Sequence, residues 1–122
     1  MTEVGIDIIE IARIGAALSK WNNKFRNLVF SASEIEFCEA RSDPVQHYAA
    51  RFAAKEAVAK ALKANKPVAL KWTDVEIVSD GNGAPKVVLH GEAENLFSGS
   101  KLSLSLSHSK NSAIAVALLS DL

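Results

Sequence analysis

The chain has 122 residues, 48% of them hydrophobic, a length suited to one domain with a buried core of its own. Its 14 Lys and Arg balance 14 Asp and Glu, so the broad basic footprint of a nucleic-acid binder is absent. No apolar run is long enough to cross a bilayer, no leader pattern follows Met1, and the single cysteine, Cys38, leaves no internal disulfide; a cytoplasmic, reducing setting is expected.

Residues 3–11 alternate as a strand, with Val4, Ile6 and Ile8 on one face and Gly5, Asp7 and Ile9 on the other. Residues 12–22 read as a short helix. A second helix is expected over 31–41, opened by Ser31 or Ser33, with Ser33 and Glu36 at the spacing of a capping box. Asp43 and Pro44 then suit the cap and first position of a new helix. That helix, residues 44–64, carries Val45, Tyr48, Ala49, Phe52, Ala59 and Leu62 at spacings of three and four. Its alanines permit close backbone approach.

The second half is mostly strand. Residues 73–79 and 86–90 flank Asp80-Gly81-Asn82-Gly83, a hairpin signal. Residues 91–98 read as a short helix or turn. Leu102, Leu104 and Leu106 alternate with serines, and 112–119 form a last strand after Ser107-His108-Ser109-Lys110-Asn111. The expected fold class is α+β: a small antiparallel sheet packed on the long alanine-rich helix, as one domain over 1–122.

Two carboxylates stand out. Asp7 lies in Val4-Gly5-Ile6-Asp7-Ile8-Ile9, and Glu56 continues the stripe that carries Phe52. An ionised carboxylate in apolar surroundings needs a partner or a cation. A hard divalent ion shared by two carboxylates and a phosphate would account for both. Read from the residues alone, that stands level with two satisfied structural carboxylates. Lys60, one turn beyond Glu56, reads first as an ordinary helix-surface partner.

His108, with flanking hydroxyls and Lys110 nearby, offers several donors for a phosphate. Without further support it reads first as a loop histidine. The three histidines lack zinc-ligand spacing. No GxxxxGK[ST] loop, GxGxxG fingerprint or GxSxG elbow occurs. From Ile11 to Ser33 there are four cations (Arg13, Lys20, Lys24, Arg26) and no Asp or Glu. Such a stretch is usually a solvated face; it also suits docking of an acidic macromolecule. Cys38 reads as a packing residue.

Three segments together resemble one family. They are Gly5-Ile6-Asp7-Ile8 with Glu10 and Arg13-Ile14; Arg51-Phe52-Ala53-Ala54-Lys55-Glu56-Ala57-Val58-Ala59-Lys60; and Leu104-Ser105-Leu106-Ser107-His108-Ser109 with Ala113-Ile114-Ala115-Val116. In order and separation they resemble holo-[acyl-carrier-protein] synthase, the small type of 4′-phosphopantetheinyl transferase. The resemblance implies transfer of the phosphopantetheine arm of coenzyme A to a serine of an apo acyl carrier protein, with release of adenosine 3′,5′-bisphosphate. Mg2+ is the implied ion, and Asp7 and Glu56 match the metal carboxylates. Asp7, Glu56 and Lys60 match the catalytic set; for the serine proton, a metal-bound water relayed by Glu56 is expected, with Glu56 acting directly as the alternative.

Lys60, Arg51, His108 and Ser109 match groups around the coenzyme's phosphates, and Asn82, Gly83 and Pro85 match a loop on the adenine side. Arg13, Lys20, Lys24 and Arg26 fall where the family docks its acidic carrier. A homotrimer with active sites between subunits is implied, with no nucleic-acid or membrane partner. One departure is plain: the Phe-Gly-Thr-Gly that follows the central lysine in many members is replaced by Ala61-Leu62-Lys63-Ala64-Asn65-Lys66-Pro67. The rival expectation is a carrier-binding or assembly module of the same fold without catalysis.

Overall fold

Close approach between one strand and one helix organises the protein. In the computed structural model, which describes residues 1–121, β1 (Thr2–Glu10) lies across α4 (Pro44–Asn65). A Cβ placed on Gly5 would sit 1.8 Å from the Ala57 carbonyl oxygen, so only glycine allows this contact. On α4, Ala53, Ala54, Ala57 and Ala61 are fully buried. Small side chains on both surfaces let the backbones touch.

β1 pairs with β5 (Ser112–Asp121), which pairs with β4 (Ser100–His108); the sheet is antiparallel in the order β1-β5-β4. The register places Asp7 opposite Ala115 and Ile9 opposite Ala113. Asp7, Gly5 and Ile9 lie toward α4, with Ala113, Ala115, Ala117 and Leu119 of β5 buried beside them. Val4, Ile6 and Ile8 point the other way and are 52–65% exposed; Val116 and Leu118 beside them are each 39% exposed. The expected strand is thus present, but its larger apolar face is bare and its aspartate face is covered.

A second sheet is the hairpin of β2 (Val75–Ser79) and β3 (Pro85–Leu89). It packs with α5 (Gly91–Phe97) on the core of α4 and β5, burying Val75, Ile77, Ala93 and Phe97. A single 3-10 turn, Trp72–Asp74, stands where the start of a strand was expected.

The other core gathers Ile14, Leu18, Val29, Phe30, Cys38, Tyr48 and Ala49. It is closed by α1 (Ile11–Trp21), α2 (Asn23–Val29) and α3 (Ala32–Glu39). Sequence periodicity did not mark α2 as a helix. It begins after Asn22, whose positive φ of 52° breaks α1. The capping box on α3 is Ser31 with Glu34, one of two overlapping serine–glutamate spacings, and not Ser33 with Glu36. Asp43 caps α4 by accepting from the Gln46 amide, with Pro44 at the first position. Cys38 is fully buried, and burial pushes its thiol up to about 12, which suits a packing residue.

Candidate active site

β1 and α4 bring the two sequence-marked carboxylates to one groove. Asp7, Arg13, Phe25, Phe52 and Glu56 line it, enclosing about 370 Å³. The Gly5–Ala57 contact sets the distance between strand and helix. Asp7 follows Gly5 by two residues and so shares its face. Lys60 closes the seam: its Nζ donates to the Ile6 carbonyl at 2.8 Å and to Asp7 Oδ1 at 3.2 Å. The expected helix pair between Glu56 and Lys60 does not form. Among the described residues, Glu56 has no hydrogen bond and no ion pair, and Asp7 Oδ2 has no partner.

This donor set is hard and oxygen-only. No cluster of three or more His, Cys, Asp or Glu positioned for a metal exists among the described residues. The residues present fit a cation that takes one or two protein carboxylates and completes its shell with water and phosphate; they do not fit a structural zinc.

His108 ends β4 at a different groove of about 460 Å³, lined by Ile11, Asp43, Gln46, Ser109 and Lys110. The Gln46 side-chain amide lies 2.7 Å from the ring nitrogens of His108. In one chain this groove and the carboxylate groove have no lining residue in common.

Arg51 lines neither groove. It is 4% exposed, with its guanidinium 3.7 Å over the Phe37 ring and one long contact to Ser79 Oγ at 3.5 Å. Its Nε is buried with no partner among the described residues. Arg41 stacks on the same ring at 3.9 Å, and His47 meets its edge. Burial, then Arg41 and Arg51, hold the His47 pKa below its usual range. Asn82, Gly83 and Pro85 belong to the β2–β3 turn: Gly83 has φ of +84°, and Asp80 Oδ1 accepts from the Asn82 and Ala84 amides. They too line neither groove.

The cation stretch divides. Arg13 borders the carboxylate groove. Lys20 and Lys24 are exposed, Lys20 lying 5.0 Å over the Trp21 ring. Arg26 is turned inward, donating to the Tyr48 hydroxyl at 3.1 Å and pairing with Glu39 at 3.5 Å. The Tyr48 hydroxyl in turn donates to Glu39 at 2.6 Å, and burial raises its pKa. Sequence reasoning passed over Trp21 and Leu28, which stand 54% and 66% exposed beside the lysines. It also passed over Arg41 and over a buried pair, Lys55 with Glu34 at 2.9 Å. The signal for Glu34 was the Ser31-x-x-Glu34 spacing; Lys55 gave none, since lysine is seldom buried.

A strand aspartate and a helix glutamate facing one groove in this topology define a class. The 4′-phosphopantetheinyl transferase superfamily model matches residues 3–117, and the chain belongs to that family. The holo-[acyl-carrier-protein] synthase of Chlorobaculum parvum is 43% identical over 120 residues, covering 98% of this chain and 99% of that one. The synthase of Protochlamydia amoebophila is 44% identical over 118 residues, covering 97% of each.

The fold agrees with solved structures. The ACPS–CoA complex of Chronobacterium ammoniagenes superposes with a TM-score of 0.87 at 30% identity, covering 100% of this chain and 98% of that one. The Helicobacter pylori synthase in complex with coenzyme A gives 0.82 at 37% identity, covering 96% and 99%.

Proposed function

We propose that this protein transfers the 4′-phosphopantetheine arm of coenzyme A to a serine hydroxyl of an acidic apo acyl carrier protein. The serine oxygen forms a bond to the β-phosphorus, the bond from that phosphorus to the bridging oxygen breaks, and adenosine 3′,5′-bisphosphate leaves. The observation that carries the reading is the placement of Asp7 and Glu56 on one groove, within the fold of a family whose relatives are named for this reaction.

Asp7 and Glu56 are the residues that would hold Mg2+. When bound, the ion neutralises charge on the diphosphate and orients it. Lys60 holds Asp7 in place by its contact to Oδ1 and adds positive charge beside the phosphates. Glu56, free of any ion pair among the described residues, takes the serine proton directly or through one water. Positioning and electrostatics then supply most of the rate, as in other phosphoryl transfers.

His108 and Ser109 grip the coenzyme's phosphates from their own groove, with Arg51 serving the 3′-phosphate and the Asn82–Pro85 turn the adenine side. His108 and Ser109 line a different surface of one chain from Asp7 and Glu56. Separation of that kind is expected where one protomer supplies the carboxylates and its neighbour the phosphate grip. The bare Val4, Ile6, Ile8, Val116 and Leu118 face supports assembly, which we read as a homotrimer with shared sites. Arg13, Lys20 and Lys24, with Arg26 behind them, attract the acidic carrier, and Trp21 and Leu28 give it apolar anchors. A cytoplasmic setting suits the single free thiol.

Incubation with coenzyme A, Mg2+ and apo carrier is expected to add one phosphopantetheine mass to the carrier. Asp7→Asn and Glu56→Gln are each expected to slow transfer about a hundredfold or more while the far-ultraviolet circular dichroism stays native. Transfer at the wild-type rate by folded Glu56→Gln defeats the reading.

A further inference from the structure

Glu56 is surrounded in sequence by lysines, with Lys55 before it, Lys60 one turn on and Lys63 two turns on. Yet it pairs with none of them among the described residues. Lys60 is drawn to Asp7 and the Ile6 carbonyl. Lys55 is drawn the other way. Its Nζ lies 2.9 Å from Glu34 Oε1, donates to the Trp72 carbonyl at 3.0 Å and donates to the Val75 carbonyl. Three ammonium protons thus meet three acceptors.

Glu34 is equally committed. Oε1 also accepts from the Ser31 amide and Oε2 from the Ile77 amide, each at 2.8 Å. The side chains of Lys55 and Glu34 are 1% and 0% exposed. Lys55 and Glu56 nevertheless border the same small cavity of about 110 Å³, together with Lys63, Lys71 and Trp72. A charge released from Glu34 would find two further carboxylates nearby: Glu76, already held by Ser31, Ser33 and His90, and Glu56 across this cavity, which is uncommitted among the described residues.

We propose that Glu34 is a positioning residue for the active site: by holding the Lys55 ammonium against α3 and the Trp72–Val75 segment, it keeps that charge off Glu56 and leaves the Glu56 carboxylate free for a cation. The inference rests on the reading of Glu56 as a cation ligand. Removing only the Glu34 charge leaves Lys55 unneutralised and pulls Glu56 toward it. Removing both charges takes away the competitor as well as its restraint. A role confined to stability orders the variants differently, since neutralising both members of a buried pair leaves packing to be lost but no cation to compete.

The probe is Mn2+, titrated into the full chain with coenzyme A and no carrier, and followed by the electron paramagnetic resonance signal of the free ion. Glu34→Gln is expected to weaken Mn2+ binding about tenfold. Glu34→Gln/Lys55→Met is expected to return it to within about threefold of wild type, even where its melting temperature is lower. Wild-type Mn2+ binding by folded Glu34→Gln, or a double variant as weak as the single, overturns the proposal.

Glu56→Gln, run in parallel, separates the two readings. If it binds Mn2+ like wild type, the assignment of Glu56 falls and this inference with it. If it alone loses the ion, only the role of Glu34 falls. Where Glu34→Gln does not reach a native circular dichroism spectrum, Glu34→Asp, which draws the carboxylate back by one methylene, replaces it. It must weaken Mn2+ in the same direction, and wild-type binding by that variant also overturns the proposal.

Discussion

The two faces of the β1-β5-β4 sheet are built from the same alternation and do opposite things. The inner face presents Gly5, Asp7 and Ile9 next to Ala113, Ala115 and Ala117, and α4 lies directly on it. The outer face presents Val4, Ile6 and Ile8 next to Val116 and Leu118, which stand 39–65% exposed among the described residues. On β1 the larger apolar side chains are mostly the exposed ones, whereas Leu119 of β5 and Leu102, Leu104 and Leu106 of β4 lie on the inner face. Where β1 meets α4, small residues admit the helix and with it Glu56 and Lys60, while Val4, Ile6 and Ile8 form a surface suited to another molecule. Hydrophobic patterning alone gives the period of a strand but not which side faces the core of the same chain.

The comparison breaks most severely at the outer face. If this face joins subunits as proposed, Ile6→Asp or Ile8→Asp is expected to cut the light-scattering mass to that of one chain, since a carboxylate buried in such a contact costs several kcal/mol. Transfer activity is expected to fall with the mass, and a variant that keeps its assembly removes the reading of this face. The inner face breaks next. Gly5→Ala drives a methyl against the Ala57 carbonyl, a backbone atom that no rotamer change can move. A loss of about 3 kcal/mol in urea unfolding is expected, at the upper end for overpacking.

The smallest effect lies off both faces. The Ser31 and Ser33 hydroxyls, with His90, hold Glu76 down to about 2 from its usual 4.5. A folded pKa depressed in this way stabilises the protein above pH 4.5, and that contribution is lost as the pH falls toward 2. Glu76→Gln is expected to flatten the fall of melting temperature across that window and leave the neutral-pH slope unchanged. An equally steep acid limb in the variant removes Glu76 as its source.

Most of the fold was legible because its signals are local. Asp43-Pro44 opens α4, the Asp80–Gly83 turn separates β2 from β3, and serine–leucine alternation draws β4. What was not legible depends on tertiary partners. α2 carries Phe25, Leu28 and Val29 with no cap, and Asn22 supplies the only break before it. The Asp7 and Glu56 meeting was readable as two carboxylates in apolar segments, but their shared groove required the Gly5–Ala57 contact. The stacking of Arg51 on Phe37 joins α4 to α3, a pairing no spacing within either helix reveals. Lys55 gave no signal in the sequence, because its burial depends on Glu34, two backbone carbonyls and α3 closing around it.

The bridge from Lys60 to the Ile6 carbonyl and Asp7 has a consequence for how the enzyme is kept between turnovers. The ammonium serves as a resident counter-ion, so the seam between strand and helix is fastened before any divalent ion arrives. If Asp7 and Glu56 hold Mg2+ as proposed, chelation is expected to stop transfer without loosening the architecture, unlike domains that must bind their metal in order to fold.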